Sequence, residues 1–479
     1  MNTLALLVPA VPMAAALLAA LIAAPAIAAW LCIVASSAAF ALACLLPWEQ
    51  QQDSWLLVDP LAAHFAILTS FVGMTTAWYS RAYIAVEIAA GRLDSPRLRQ
   101  YHALFLAFLA CMLLAILANN IGVAWAAVEA ATIAAVVVVG LPRTENAVEA
   151  SWKFFLICGV GVALALFGTV LLYLAALPVA GASEMAMRWS TLAEVAPRCP
   201  APVLNLAFVF LLIGYGTKAG LAPLHGWMPD AHAEGPTPVS AVLAGSIMNV
   251  ALLLLLRLRQ VLAGNSGALS PGPFIMALGL LSVLIAAFAL WRRRDVKRFF
   301  AFSTIEQSGL AAFAFGLGGA GAMFAGLLHI TLHTLAKAAV FQCVGRACQM
   351  KGGQDFTHLG GLFARHRALA LTLAAAIVAV AALPPFGLFV SSFLIVSETA
   401  RRSLWLAGPL VFGITLGAWG LMTRLVDLLF GPDTPDPGPV PGRGALVPAW
   451  LHLALVAGLG LAMPAPVVAW FTGMAAGLR

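Results

Sequence analysis

The sequence predicts an all-α, polytopic integral membrane protein with about 14 transmembrane helices. Two observations carry that prediction. Hydrophobic residues make up 62% of the 479-residue chain and charged residues only 9%, against about a quarter charged in a soluble domain. Apolar runs of roughly 20 residues, each long enough to cross the hydrocarbon layer as a helix, recur from end to end. A third observation shapes the fold: prolines interrupt two of these runs, near Pro223 and at Pro384–Pro385 with Gly387. A proline inside a helix removes a backbone hydrogen bond and kinks or breaks the helix.

The first three spans are expected near residues 3–24, 26–46 and 57–79. The opening run, TLALLVPAVPMAAALLAALIAA, has no basic residue before it and no clear cleavage site. It reads as a retained helix and not a signal peptide. Five spans follow near 103–118, 120–140, 153–178, 203–222 and 238–257, then five more near 272–290, 300–317, 321–345, 368–396 and 404–428. The Pro/Gly-rich loop GPDTPDPGPVPGRG, residues 431–444, precedes a last span near 446–471. One transmembrane domain therefore covers 1–479. Within it, 103–257 and 272–428 are expected to form two inverted five-helix repeats, spans 4–8 and 9–13, with spans 7 and 12 broken. Transporters with inverted repeats use such broken helices to build sites near the midplane.

The net charge of +7 does not signal nucleic acid in so apolar a chain; the useful quantity is the side on which the loops carry Lys and Arg. With this layout, 17 basic residues fall on one side, among them Arg81, Arg143, Lys351 and the Arg292–Arg298 cluster, with Arg443. Seven fall on the other, with Arg479. The positive-inside rule then places the 17 in the cytoplasm and both termini on the non-cytoplasmic side. The seven cysteines form no CxxC and no zinc-ligand spacing, so neither disulfides nor an iron–sulfur cluster is expected. GLGGAG at 316–321 matches a dinucleotide fingerprint only in letters, since it joins two membrane spans and follows no strand. His225, His232, Asp230 and Glu234 raise the thought of a metal, but their tight Pro-rich turn favours a capping role. No metal, cofactor or catalytic group is expected in the chain itself.

The ionisable residues at membrane depth point to function. Glu129 falls mid-span in NNIGVAWAAVEAATIAAVVVVG and Lys218 falls in the seventh span. The eleventh, GLLHITLHTLAKAAVF, carries His329, His333 and Lys337 at i, i+4 and i+8, stacked along one helix face. Such residues are expensive in lipid and face a bundle interior or water. Structural alternatives exist: an ion pair for Glu129 and Lys218, and polar glue between helices for the stripe. Protons fit the set better. Burial disfavours the charged form of a lysine and a nearby carboxylate restores it, so moving or protonating that carboxylate switches proton holding. Histidine can pass a proton through either ring nitrogen. Pro223, just beyond Lys218, and Pro385 are expected to open the helices so that water reaches these sites.

The stretch GTKAGLAPLHGWMPDAHAEGPTPVSAVLAG resembles the signature of the proton-translocating membrane subunits shared by complex I, Mrp antiporters and membrane-bound hydrogenases. RDVKRFFAFSTIEQSG and HITLHTLAKAAVF resemble two further blocks of that family, and the likeness runs from about span 3 to span 13. Within it, the segments around Glu129 and AVEASWKFFLICGVGVALALFGTVLLYLA are most similar to the hydrogenase-4, formate hydrogenlyase-type branch and its membrane component F. The resemblance implies that Glu129 and Lys218 gate proton uptake and that His329, His333 and Lys337 continue a hydrophilic axis. It implies a multi-pass subunit of a prokaryotic inner membrane, partnered by other membrane subunits and by peripheral hydrogenase-like, iron–sulfur redox subunits that hold all the cofactors. Two positions depart from the pattern. Asn249 stands where several complex I relatives have lysine, and can orient a water. Ser392 stands where relatives carry glutamate or lysine, which leaves the proton exit of the second half open, with Glu398 a possible substitute. The alternatives are an Mrp-type cation/proton antiporter subunit, the membrane half of an inorganic-carbon uptake pair, and a non-transporting anchor.

Overall fold

The computed structural model describes residues 3–22, 24–49, 55–181, 183–291, 293–439 and 442–478. Arg292 and Arg479 of the loop-charge count lie outside them, as does the side chain of Arg443. Among the described residues the regular structure is helical, with three isolated β-bridges between loops. The chain is a multi-pass membrane protein.

The helices α1 (Thr3–Leu21), α2 (Pro25–Leu45) and α3 (Pro60–Ala89) lead into α4 (Ser95–Leu117), α5 (Ile121–Val139) and α6 (Glu145–Ala180). The starts of α3 to α6 are set by Asp59, Asp94, Asn120 and Thr144. Each side-chain oxygen accepts a first-turn backbone N–H, from Ala62, Arg97, Val123 and Ala147 at 2.8–3.1 Å. After the short α7 (Trp189–Val195) come α8 (Ala201–Lys218), α9 (Met228–Glu234), α10 (Thr237–Leu243) and α11 (Ser246–Ala263). The remainder comprises α12 (Pro271–Leu290), α13 (Val296–Leu317), α14 (Ala320–Lys351), α15 (Leu362–Arg365), α16 (Arg367–Val380), α17 (Gly387–Arg402), α18 (Leu404–Phe430), α19 (Val447–Leu461) and α20 (Ala465–Gly477).

Among the described residues 12 helices are long and apolar enough to cross a membrane, or 13 if one bent pair is a single span, against the expected 14. The difference has physical causes. Lys297, Arg298, Glu306 and Gln307 lower the hydropathy of α13, and α16 and α17 are two short halves of the predicted twelfth span. The predicted last span also divides, because the helix stops at Leu461 and restarts beyond Pro464.

Spans 7 and 12 are broken where the sequence indicates, and the two breaks are built alike. At the end of α8 the Gly220 N–H donates to the Thr217 carbonyl at 3.1 Å and the Leu221 N–H to that of Gly216 at 2.9 Å. Gly220 has φ +68°, so this is a Schellman ending with glycine in the left-handed region. Beyond α16, Ala382 N–H donates to Ala379 and Leu383 N–H to Val378 at 3.1 and 3.2 Å, with Ala382 at φ +54°. The α8 helix thus ends at a backbone cap three residues before Pro223, and the proline stops it resuming. On this likeness we propose that 103–257 and 272–428 are paired units; Lys218 in the first then corresponds to Val380 in the second. The Ala222–Pro223 and Pro384–Pro385 bonds are both cis.

The backbone groups freed at the first break are satisfied from the other half. Ser308 of α13 donates to the Ala219 carbonyl at 3.0 Å, and Ser282 of α12 accepts the Ala222 N–H at 2.8 Å. These helices pack together through glycines: a Cβ on Gly272 would lie 2.6 Å from the Gly316 carbonyl oxygen, and one on Gly309 would lie 2.8 Å from that of Gly279. Small residues let membrane helices approach closely. At the centre stands α14, 32 residues long and buried almost throughout.

The Pro/Gly-rich loop is pinned to the end of α14. Asp436 meets Lys351 Nζ at 2.8 Å and His366 Nε2 at 2.8 Å, while Lys351 also donates to the Thr434 carbonyl at 2.7 Å. Desolvation opposes ionisation of Asp436, but the bonds from Lys351 and His366 outweigh it and hold the carboxyl below its usual range. A depressed carboxyl contributes stability that is fully present above its unfolded value of about 3.9 and is lost as pH falls through the folded one. Asp436→Asn is therefore expected to cost about 1 kcal/mol at neutral pH. The thermal melts of the two proteins in detergent should differ at pH 7 and converge in acid.

Candidate functional site

Lys218 is the last residue of α8 and is fully buried. Its ammonium donates to Thr132 Oγ1 on α5 at 2.5 Å, and Thr132 lies three residues beyond Glu129 on the same helix. The two residues therefore share a helix face. Glu129 is half-buried, its Oε2 has no hydrogen-bond partner, and it is the carboxylate that acts on Lys218. No salt bridge within 4.0 Å joins them, so the two are brought together as electrostatic neighbours and not as a closed ion pair. Cys158 of α6 interacts with the same ammonium.

His329, His333 and Lys337 stand in file along α14, all fully buried. His329 Nδ1 meets Ser391 Oγ of α17 at 3.0 Å, and its Nε2 has no partner. Neither ring nitrogen of His333 has a protein partner. Lys337 Nζ donates to the Phe300 carbonyl of α13 at 2.9 Å and lies 5.5 Å from the centre of the Phe300 ring. Buried polar groups are almost always hydrogen-bonded to protein or water, and one that keeps a free nitrogen is equipped to accept or release a proton.

The supporting positions divide. Asn249 of α11 donates to Thr334 Oγ1 of α14 at 3.1 Å, so it ties α11 to the stripe's helix and its amide is committed there. Ser392 is 6% exposed with an unpartnered hydroxyl, next to the Ser391 that holds His329. Pro223 and Pro385 lie inside the two breaks. Glu398 pairs with Arg401 at 3.1 Å at the far end of α17, where Arg401 is 76% exposed. The Glu398 carboxylate also lies against Gly321 at the start of α14.

In the Pro-rich turn Asp230, Glu234 and His232 make contacts other than the expected helix caps. Asp230 pairs with Lys153 at 3.1 Å and Arg298 at 3.3 Å, and Glu234 pairs with Arg298 at 3.2 Å. His232 instead stacks on Phe341 of α14, with ring centroids 5.0 Å apart. Its short helix starts at Met228 with Trp227 before it and no side-chain cap, because proline at the first turn already removes an N–H. Among the described residues no group of three or more His, Cys, Asp and Glu is arranged to hold a metal ion.

Sequence reasoning missed Glu306. It lies on α13, 2% exposed, in the stretch FFAFSTIEQSGLAAFAF, where a Glu-Gln pair amid apolar residues was the available signal. It also missed two histidines that tie helices together, the half-buried His64 and the buried His452. His64 of α3 accepts from Trp470 Nε1 at Nδ1, 3.3 Å, so its Nε2–H is the donor toward Thr331 Oγ1 at 2.8 Å. His452 of α19 bonds Thr75 of α3 at 2.8 Å.

Residues 118–417 match the family model described as NADH:quinone oxidoreductase/Mrp antiporter, transmembrane. The chain is 46% identical over 446 residues to a hydrogenase-4 component F homolog from Methylacidiphilum infernorum, covering 93% of each chain. Its fold is similar to a chain of the membrane-bound sulfane sulfur reductase, an archaeal respiratory membrane complex, with TM-score 0.85, 22% identity and 98% of each chain covered. A chain of the Mrp complex from Dietzia sp. DQ12-45-1b gives TM-score 0.83 at 19% identity, covering 100% of this chain and 98% of that one.

Proposed function

The chain belongs to the NADH:quinone oxidoreductase/Mrp antiporter membrane family, and on that premise we propose that it is a proton-translocating subunit of a membrane-bound redox complex of the hydrogenase-4 kind. The observation that carries the reading is Lys218: a fully buried ammonium at the end of a broken helix, bonded to Thr132 and faced by Glu129 without a closed ion pair. Such a lysine responds to any change in its carboxylate neighbour, because the neighbour's charge sets how strongly the ammonium form is favoured. Proton uptake begins at Glu129 and Lys218 and continues along the file of His329, His333 and Lys337. Two bridges support that continuity, Ser308 to the Ala219 carbonyl and Asn249 to Thr334.

The chain itself supplies proton-holding groups. Electron transfer belongs to peripheral hydrogenase-like and iron–sulfur partners, which bias Glu129 and Lys218 electrostatically or by conformation. Other membrane subunits pack against the apolar outer faces, in a prokaryotic inner membrane with both termini on the non-cytoplasmic side. The test is purification of the chain from native membranes in mild detergent. Hydrogenase-like and iron–sulfur subunits in fixed ratio, with vesicles that take up protons when reductant is added, support the reading. Small antiporter subunits instead move it to cation/proton exchange, and a soluble zinc protein to inorganic-carbon uptake.

A further inference from the structure

We propose that Glu306 exchanges a proton with Lys337 and so gives the second half of the chain its own carboxylate–lysine switch, a role that rests on the proton-translocating reading above. Glu306 sits mid-helix on α13, 2% exposed, and its Oε2 has no hydrogen-bond partner. Lys337 of α14 is the charged group that acts on it. From α18 the carboxylate meets Gly417, where an added Cβ would collide with both of its oxygens. One side of the carboxylate therefore packs on bare backbone, and the titratable groups near it belong to α14: Lys337, with His333 one turn away.

The arrangement does not fit a structural salt bridge. Lys337 commits a donor to the Phe300 carbonyl at 2.9 Å, and no pair within 4.0 Å joins it to Glu306. Two isolated charges in so dry a place would be costly, whereas a pair that stays neutral in total is not. In the step proposed, an N–H bond of the Lys337 ammonium breaks and its proton passes to an intervening water, which gives one of its own to Glu306 as an O–H bond forms there, leaving water unchanged with a neutral amine and a neutral acid; the reverse step restores both charges. The pair sums to zero charge throughout. This places the acid of the second half on α13 and not at Ser392. Helix α13 bonds the Lys337 ammonium through the Phe300 carbonyl and the break beside Lys218 through Ser308, and it carries Glu306 between them in sequence. One helix then touches both lysine sites.

The test uses the intact complex in sealed vesicles, comparing Glu306→Gln and Glu306→Asp with wild type and with Lys218→Ala. Glu306→Gln is expected to lower proton uptake about a hundredfold, the scale on which removing a positioned proton-transfer group acts, and to remove one carboxylic-acid C=O band from the infrared difference spectrum between the oxidised and reduced complex. A merely structural glutamate would leave that spectrum unchanged. Uptake and spectrum both like wild type, with Lys218→Ala inactive, overturn the role of Glu306 alone; wild-type uptake in both Glu306→Gln and Lys218→Ala overturns the proton-translocating reading with it. Should Glu306→Gln not assemble, Glu306→Asp decides: a displaced acid band supports the exchange, and an unmoved one overturns it.

Discussion

Vesicles carrying the Lys218→Ala chain are expected to show no redox-driven proton uptake above background, while the complex assembles in normal amounts. The ammonium is fully buried at the end of α8 and donates to Thr132. Its loss leaves no orphan there, because the Thr132 hydroxyl already donates to the Val128 carbonyl at 2.7 Å. Removing a buried charge also relieves a desolvation cost, which offsets the roughly 2–5 kcal/mol expected for truncating a long buried side chain. Lys218→Met, which keeps the volume without the charge, should assemble equally well and be equally inactive. Uptake at the wild-type rate in either variant, with subunits present in normal ratio, would remove Lys218 from the pathway.

Gly279→Val should produce the largest structural loss. A Cβ at Gly279 would run into the backbone of Phe313 and the carbonyl of Gly309 on the facing helix. Backbone cannot swing aside as a side chain can, so α12 and α13 must separate. That costs at least about 3 kcal/mol, the upper range for overpacking, and it pulls Ser282 and Ser308 off the break after Lys218. The expected outcome is a severely reduced yield of assembled complex, with the residual protein melting earlier in detergent. Gly159→Ala on α6 is the matched control, since nothing lies within 4 Å of its added Cβ; it should be neutral or slightly stabilising, as alanine is favoured over glycine in a helix interior. Equal assembly of the two variants would show that the α12–α13 seam tolerates side chains.

Much of this site was legible in the sequence because periodicity and hydropathy are local. Glu129, Lys218 and the His329–His333–Lys337 file stand out against apolar runs, and a four-residue spacing on a helix fixes their common face. The two breaks were signalled by prolines, although the capping glycine at 220 ends α8 before Pro223 is reached. Glu306 escaped for the opposite reason. Its helix also carries Lys297, Arg298 and Gln307, so one more polar residue there altered the pattern little, and only its burial and its neighbour Lys337 distinguish it.

The sequence by itself determined that the chain is helical, spans the membrane many times, breaks near two proline sites and carries ionisable groups at depth. Each of these follows from the cost of placing polar groups in lipid, which acts residue by residue along the chain. The tertiary structure alone decided that Lys218 bonds Thr132 and not Glu129, that Asn249 is committed to Thr334, that Glu398 is tied to a surface arginine, and that Glu306 is buried with an unpartnered oxygen. The longer of these contacts join residues tens of positions apart, set by how glycine seams and helix ends let the helices approach, and no local pattern encodes those distances.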